Sequence, residues 1–301
     1  MNAIMPTEQR KGILYALGCY GIWGTFPLFW YPLNQSAMPA QQILAQRITW
    51  SAIFAIILLL IFKQGKALLK AFGQPKVLAT FALSSFLVAM NWLIYLWAII
   101  NHHVVEASLG YFINPLFSVL LGFLFFKEKL NRTQIIAVIL AGMGILWLVI
   151  LAGNIPWIGL LLAASFGFYG LVRKLAPMPP LAGLTLETLL MLPFALAYLA
   201  WCGSQNILVF SELNALQKTV LFASGAATTI PLLLFAASAR RISLSLLGIL
   251  QNLAPVCQLL LGLLFGEQLV GAKLGGYSLV WLGVLVFLYG AWQQMKQAKL
   301  S

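Results

Sequence analysis

The sequence predicts an all-α integral membrane protein with ten transmembrane helices, arranged as two inverted five-helix repeats. Three observations carry that expectation: the composition, the spacing of the apolar runs, and the placing of the basic residues. Of the 301 residues, 62% are hydrophobic and only 8% are charged, whereas a soluble domain carries roughly 25% charged residues. In water so apolar a chain exposes large patches and aggregates; in a bilayer the same surface faces lipid.

A spanning helix needs ~20 apolar residues, because ~1.5 Å per residue must cross ~30 Å of hydrocarbon. Ten such runs are predicted, at Gly12–Tyr31, Gln42–Phe62, Val77–Ile100, Val104–Phe126, Thr133–Leu151, Ile155–Val172, Leu181–Trp201, Thr219–Ala239, Ile242–Phe265 and Leu274–Trp292. They are continuous, so the alternating pattern of a membrane β-barrel does not apply. Turn residues separate them: Pro32 and Pro39, Gly73 to Pro75, Gly153 to Pro156, and Pro177, Pro179 and Pro180. The thinnest separation lies between the fifth and sixth runs, where Gly153, Asn154 and Pro156 stand alone. The first run has no small-residue cleavage site and reads as a retained helix.

The basic residues test the count. With the N-terminus in the cytoplasm, the inner segments hold fifteen of them: Arg10, Lys11, Lys63, Lys66, Lys70, Lys76, Lys127, Lys129, Arg132, Arg173, Lys174, Arg240, Arg241, Lys296 and Lys299. The outer loops hold two, Lys218 and Lys273, and Arg47 lies within a run. One miscounted helix would swap the face of every later loop and destroy this asymmetry. Ten helices with both termini in the cytoplasm is the expectation.

The halves resemble each other at a spacing near 140 residues. Asn114, Pro115, Leu120-Leu121-Gly122, Leu124-Phe125 and Glu128 find Asn252, Pro255, Leu260-Leu261-Gly262, Leu264-Phe265 and Glu267. Trp23-Gly24 finds Tyr169-Gly170. Five helices per half is an odd number, so the second half is expected to be inverted. The boundary is placed at 152/153, giving repeats 1–152 and 153–301. Inverted repeats meeting at a midplane site are a transporter design.

Composition also excludes. There is no Asp, and the acids are Glu8, Glu106, Glu128, Glu187, Glu212 and Glu267. The histidines are His102 and His103, and Cys19, Cys202 and Cys257 lie far apart. That set offers no convergent acid, base, nucleophile or metal ligands, so neither an enzyme nor a metal site nor a cofactor is expected. The net charge of +12 is spread through short loops and forms no nucleic-acid-binding face. No GxxxxGK[ST] loop is present to bind a nucleotide.

Ionisable residues inside a span are costly, which makes them functional candidates. Arg47 sits ~9 Å into the second helix from the outer side and Glu187 at the equivalent place in the seventh from the inner side. Arg47 is a candidate for an anionic group, with Glu106 as its charge partner. Glu187 is a candidate for an amine or a coupling proton, with Arg240 or Arg241 as its partner. The structural alternatives are a packing ion pair or a snorkelling arginine. Asn91, Tyr95, Tyr111, Asn114, Gln251 and Asn252 are further binding candidates, against a competing role as interhelical glue. Pro115 and Pro255 free backbone carbonyls and are candidate hinges. Trp23, Phe26, Trp92, Tyr95, Trp97 and Tyr169 are candidates for a pocket around an amphipathic solute. Gly18, Gly21 and Gly24 allow the first helix to approach a neighbour closely.

Five sets of residues stand out: Gly12 through Trp23-Gly24 with Pro27; Ile43-Leu44-Ala45-Gln46-Arg47 with Trp50-Ser51; Asn91-Trp92 with Tyr95 and Trp97; Ala107 through Asn114-Pro115; and Leu184-Thr185-Leu186-Glu187. Together they resemble the EamA-type drug/metabolite transporter family, in its RarD-like (chloramphenicol-sensitive protein) branch. RarD-like chains more usually carry His where Gln46 stands. The resemblance implies a permease of the bacterial inner membrane, working as an exporter; the expected function is alternating-access transport of a small organic metabolite or drug-like solute, with protons as a candidate coupling ion through Glu187. A non-transporting membrane scaffold or helper subunit is the alternative.

Overall fold

The computed structural model describes residues 6–34, 36–100, 103–153, 155–264 and 271–297, and leaves the side chains of residues 6, 34, 96, 99–100, 104–108, 259, 262–263, 273 and 294–297 outside that description. The expected partner Glu106 therefore has no described side chain, and His102 and Glu267 lie outside the described residues. The helices are α1 (Pro6–Gly24), α2 (Phe26–Asn34), α3 (Ala40–Ile61), α4 (Gly65–Phe72), α5 (Pro75–Ile100), α6 (Val104–Phe126), α7 (Arg132–Ala152), α8 (Trp157–Leu175), α9 (Pro180–Ser204), α10 (Ala215–Ala239), α11 (Leu244–Leu250), α12 (Leu253–Leu264) and α13 (Gly271–Gln297). A short 3-10 turn, Val209–Glu212, precedes α10. No strand occurs among the described residues.

Nine segments are long and apolar enough to cross a membrane, and a shorter apolar helix, Leu244–Gln258, supplies the remaining predicted span. The fold class read from the sequence is the one observed. Two spans differ in detail, because each is broken where a single helix was expected. α1 gives way to α2 at Thr25, and α11 to α12 at Gln251 and Asn252. Proline lacks the N–H that would bond to the carbonyl four residues back, and each break lies just before one, Pro27 and Pro255. At the first break the freed Trp23 carbonyl accepts from Gln258 Nε2 of α12 at 3.2 Å. At the second, the Gln251 carbonyl accepts from the Ala254 N–H at 3.1 Å. Pro115, in contrast, lies inside an unbroken α6.

Helix ends follow local chemistry. Asn131 and Asn214 each cap a helix and are bonded reciprocally by the glutamine three residues on, Gln134 and Gln217. Gly153, at φ 77°, takes the left-handed conformation that closes α7 and separates the fifth span from the sixth. α4 was not expected from the sequence. It turns Leu68 and Ala71 inward and leaves Leu69 and Phe72 exposed beside Lys66 and Lys70, the pattern of a helix lying at a membrane interface.

The principal contacts between spans follow one rule. The fifth span packs on the tenth, the second on the seventh and the fourth on the ninth. The first also packs on the eighth and ninth, the sixth on the third and fourth, the second on the eighth and the seventh on the third. Adding or subtracting five turns every one of these contacts into another of the set. Small residues permit the tightest of them. A Cβ on Gly144 of α7 would lie 2.6 Å from the Gly276 carbonyl oxygen of α13, so only glycine allows that approach. On the first helix, Gly24 meets Cys257, Gly18 touches Leu234, and Gly21 faces open space.

Side-chain bonds across the bundle fix its two ends. At one end Gln42 of α3 donates to the Ile207 carbonyl at 2.7 Å and accepts from the Val209 N–H at 3.1 Å, tying down the connection between α9 and α10. At the other end Glu128, just past α6, accepts from the Leu244 N–H at 2.7 Å and the Ser245 N–H at 3.0 Å. This carboxylate therefore caps α11, and the two halves are joined through it.

Candidate functional site: a cavity between the halves

A cavity of about 530 Å³ lies between the helices of the two halves. It reaches Leu33 and Ala40, beside the α2–α3 turn, so it opens toward the end of the bundle that Gln42 fixes. Its walls come from seven of the ten spans. α1 and α2 supply Trp23, Phe26 and Trp30, and α3 supplies Ile43, Leu44 and Arg47. α5 supplies Asn91, Trp92 and Tyr95, and α6 supplies Gly110, Tyr111 and Asn114. Leu162 and Phe166 of α8, Thr228 and Leu232 of α10, and Gln251, Pro255 and Gln258 around α12 complete it.

Arg47 is the one formal charge on that wall among the described residues. Its Nε donates to Thr228 Oγ1 at 3.2 Å. Its Cζ lies 5.2 Å from the ring centroid of Trp30 and 5.1 Å from that of Trp92. Indole faces attract a cation at this range, which lowers the cost of holding a guanidinium among apolar groups. No ion pair to Arg47 occurs among the described residues.

The other polar candidates divide. Asn91 donates from Nδ2 to the Leu162 carbonyl and to Ser165 Oγ, both at 3.0 Å, so it ties α5 to α8 while lining the cavity. Tyr95 and Tyr111 meet edge to face at 5.9 Å. Asn114 is 3% exposed, and its Oδ1 has no hydrogen-bond partner among the described residues. Gln251 lines the cavity at the α11–α12 break. Asn252 does not line it; its Nδ2 donates to the Ile249 carbonyl at 3.1 Å, closing the end of α11. Trp97 lies outside the cavity, stacked on His103 at 5.5 Å.

Below the cavity the aromatic residues form a plug. Trp23 and Phe166 line the floor and pack edge to face at 5.7 Å. Phe235 contacts both and stacks on Tyr169 at 5.6 Å. Tyr169 and Phe235 are fully buried. Glu187 lies beyond this plug and not in the cavity. It is 1% exposed and ion-pairs with Arg173 of α8, itself 2% exposed, at 3.2 Å. Ser84 of α5 donates its hydroxyl to the same carboxylate.

This corrects the expected pairing. Arg240 donates to the Met178 carbonyl at 2.7 Å, and Arg241 pairs with Glu8 at 2.9 Å, so neither reaches Glu187. Arg173 was counted among the loop cations because it stands beside Lys174 near the end of an apolar run. α8 in fact continues to Leu175, and Arg173 turns inward while Lys174 reaches the carbonyls that end α10. Thr228, Trp30 and Ser84 carried no distinguishing sequence signal. They matter through what they touch across the bundle.

The cavity belongs to a recognisable lineage. The profile of the EamA-like transporter family matches residues 10–150 and again 155–289. An uncharacterized transporter of Bacillus subtilis, YojE, is 42% identical over 94% of this chain and 95% of its own. RarD of Streptomyces exfoliatus is 41% identical over 98% and 92%, and RarD of Escherichia coli 38% identical over 94% and 96%. A solved crystal structure superposes with a TM-score of 0.68 at 19% identity, over 93% of this chain and 97% of that one, and shares the fold. With the family profile matching both halves of this ten-helix bundle, the chain belongs to the EamA-like transporter family.

Proposed function

We propose that this membrane transporter works as a secondary exporter, moving a small organic solute out of the bacterial cytoplasm by alternating access. Its halves, residues 1–152 and 153–301, are read as inverted repeats within the inner membrane, with both termini cytoplasmic. The observation that carries the reading is the asymmetry of the centre. A cavity opens toward one end, and an aromatic plug with a buried ion pair closes the other. The contact rule that exchanges spans five apart supports two equivalent halves. An odd number of spans in each then requires inversion, and rocking one half on the other exchanges the open end for the closed one.

Arg47 and Glu187 occupy equivalent positions 140 residues apart. Arg47 contacts Thr228 of the eighth span, and Glu187 contacts Ser84 of the third, the equivalent span. The open and the closed ends are thus built on equivalent spans. Among the described residues Glu187 is the carboxylate buried within a span, which makes it the candidate carrier of a coupling proton. Pro115 and the break before Pro255 are the candidate hinges.

Sided cysteine labelling tests this. Ile43→Cys on the cavity wall and Thr188→Cys beside the closed cluster are reacted with an impermeant maleimide in right-side-out and inverted vesicles. Ile43→Cys should label from the outer face, and Thr188→Cys from the cytoplasmic face in a minor, solute-dependent fraction. Complete protection of position 188 from both faces, with and without solutes, would remove the alternating step.

A further inference from the structure

We infer that the cavity takes an organic anion: a carboxylate on an aromatic or otherwise apolar body, held by Arg47 and, through an N–H, by Asn114. The inference rests on the transporter reading, whose solute enters this cavity. A guanidinium has five N–H donors in one plane. Trp30 and Trp92 lie at cation–π distance from Arg47, and Thr228 uses Nε. No other hydrogen bond to Arg47 occurs among the described residues. The two terminal nitrogens therefore remain, and they form the fork that matches a carboxylate with two parallel bonds.

Charge points the same way. The wall carries Arg47 and no acid among the described residues, so the described lining has a net charge of one positive unit. In a low-dielectric site an anion completes that charge, and a cation is repelled by it. The rest of the wall is mainly aliphatic and aromatic, which excludes a small, fully hydrated inorganic anion as the best fit. Asn114 adds the second polar requirement. Its Oδ1 is buried at the cavity wall without a partner among the described residues, an arrangement that costs free energy until a donor arrives. A cavity of about 530 Å³ lies within the size range of sites for small organic ligands.

The test uses three molecules of one shape. Indole-3-acetate carries the carboxylate and the ring N–H, indole-3-acetamide is its neutral counterpart, and tryptamine is the cation. Binding to the purified full chain in lipid nanodiscs is measured by equilibrium dialysis, and flux in proteoliposomes. Wild type should bind indole-3-acetate saturably and in preference to the other two. Arg47→Gln should weaken that binding about 30-fold or more, the loss expected for one member of a buried charge pair, and Arg47→Lys should restore part of it. Binding of the amide should change little. Size-exclusion profiles confirm that each variant is folded.

A structural role for Arg47 would instead weaken all three probes together and would overturn the inference. So would preferred binding of the amide or of tryptamine, or no saturable binding of indole-3-acetate. Binding with no flux leaves the ligand class standing and defeats the transporter reading. Flux of the amide or amine without carboxylate binding does the opposite.

Discussion

Breaking the Arg173–Glu187 pair should shift both stability and the balance between the two ends of the cavity. The ions lie 3.2 Å apart and are almost wholly buried. At an effective dielectric constant near 20 their attraction is about 5 kcal/mol, most of which offsets desolvation. Ser84 donates to the carboxylate, and Arg173 Nη2 to the Pro180 carbonyl at 3.2 Å, yet Arg173 Nε has no partner among the described residues. A buried pair so incompletely bonded adds little over a well-packed apolar pair. Removing one partner strands the other, which costs about 3–5 kcal/mol.

Glu187→Leu and Arg173→Leu should therefore each destabilise the folded bundle by about 3–5 kcal/mol, while the double variant recovers to within about 1 kcal/mol of wild type. Titration with SDS from mixed micelles, followed by tryptophan fluorescence, measures the cycle. Additive single effects would refute the reasoning, because they would mean that the two charges are stabilised separately. On the alternating-access reading proposed above, Glu187→Leu should also raise labelling of a cysteine at 188 from the cytoplasmic face. Each 1.4 kcal/mol lost from the closed state raises the open population about tenfold.

Three further outcomes follow from single contacts. Glu128→Ala strips the N-terminus of α11 of three hydrogen bonds and should cost about 2–3 kcal/mol in the same titration, with Glu128→Gln recovering part. Gly225→Ala places a Cβ 2.6 Å from the Trp50 backbone carbon; prying α10 from α3 should cost about 1–3 kcal/mol and separate Thr228 from Arg47. Gln258→Leu leaves the Trp23 carbonyl unbonded and should cost about 0.6–2 kcal/mol, near the usual worth of a polar contact within a membrane bundle. A stability equal to wild type would exclude that cross-link as a structural element.

The fold was legible because lipid imposes two one-dimensional rules, a minimum apolar length and a side for each basic residue. Neither needs tertiary information. The breaks at Thr25 and Asn252 were less so. Pro27 and Pro255 were visible, but whether a proline interrupts a helix depends on what receives the freed carbonyl. Pro115 stands in an unbroken α6, while the Trp23 carbonyl is received by Gln258, 235 residues away. That partnership exists only after folding.

The candidate site was legible as a set of residue types and illegible as a set of neighbours. Arg47, Asn91, Tyr95, Tyr111, Asn114 and Gln251 all reach one cavity, since polar side chains within spans have few other places to go. Arg47 and Glu187 looked alike, each an ionisable group at an equivalent depth. Their surroundings separate them. Glu187 found Arg173, a cation whose sequence context resembled a loop, and the pair is sealed behind Tyr169 and Phe235. Arg47 found indoles and a threonine, which soften the cost of its charge without cancelling it. On the anion reading inferred above, a compensated charge locks helices together, and one with no counter-ion among the described residues takes a ligand. The distinction between latch and binding site therefore rests on whether the counter-ion is built into the chain.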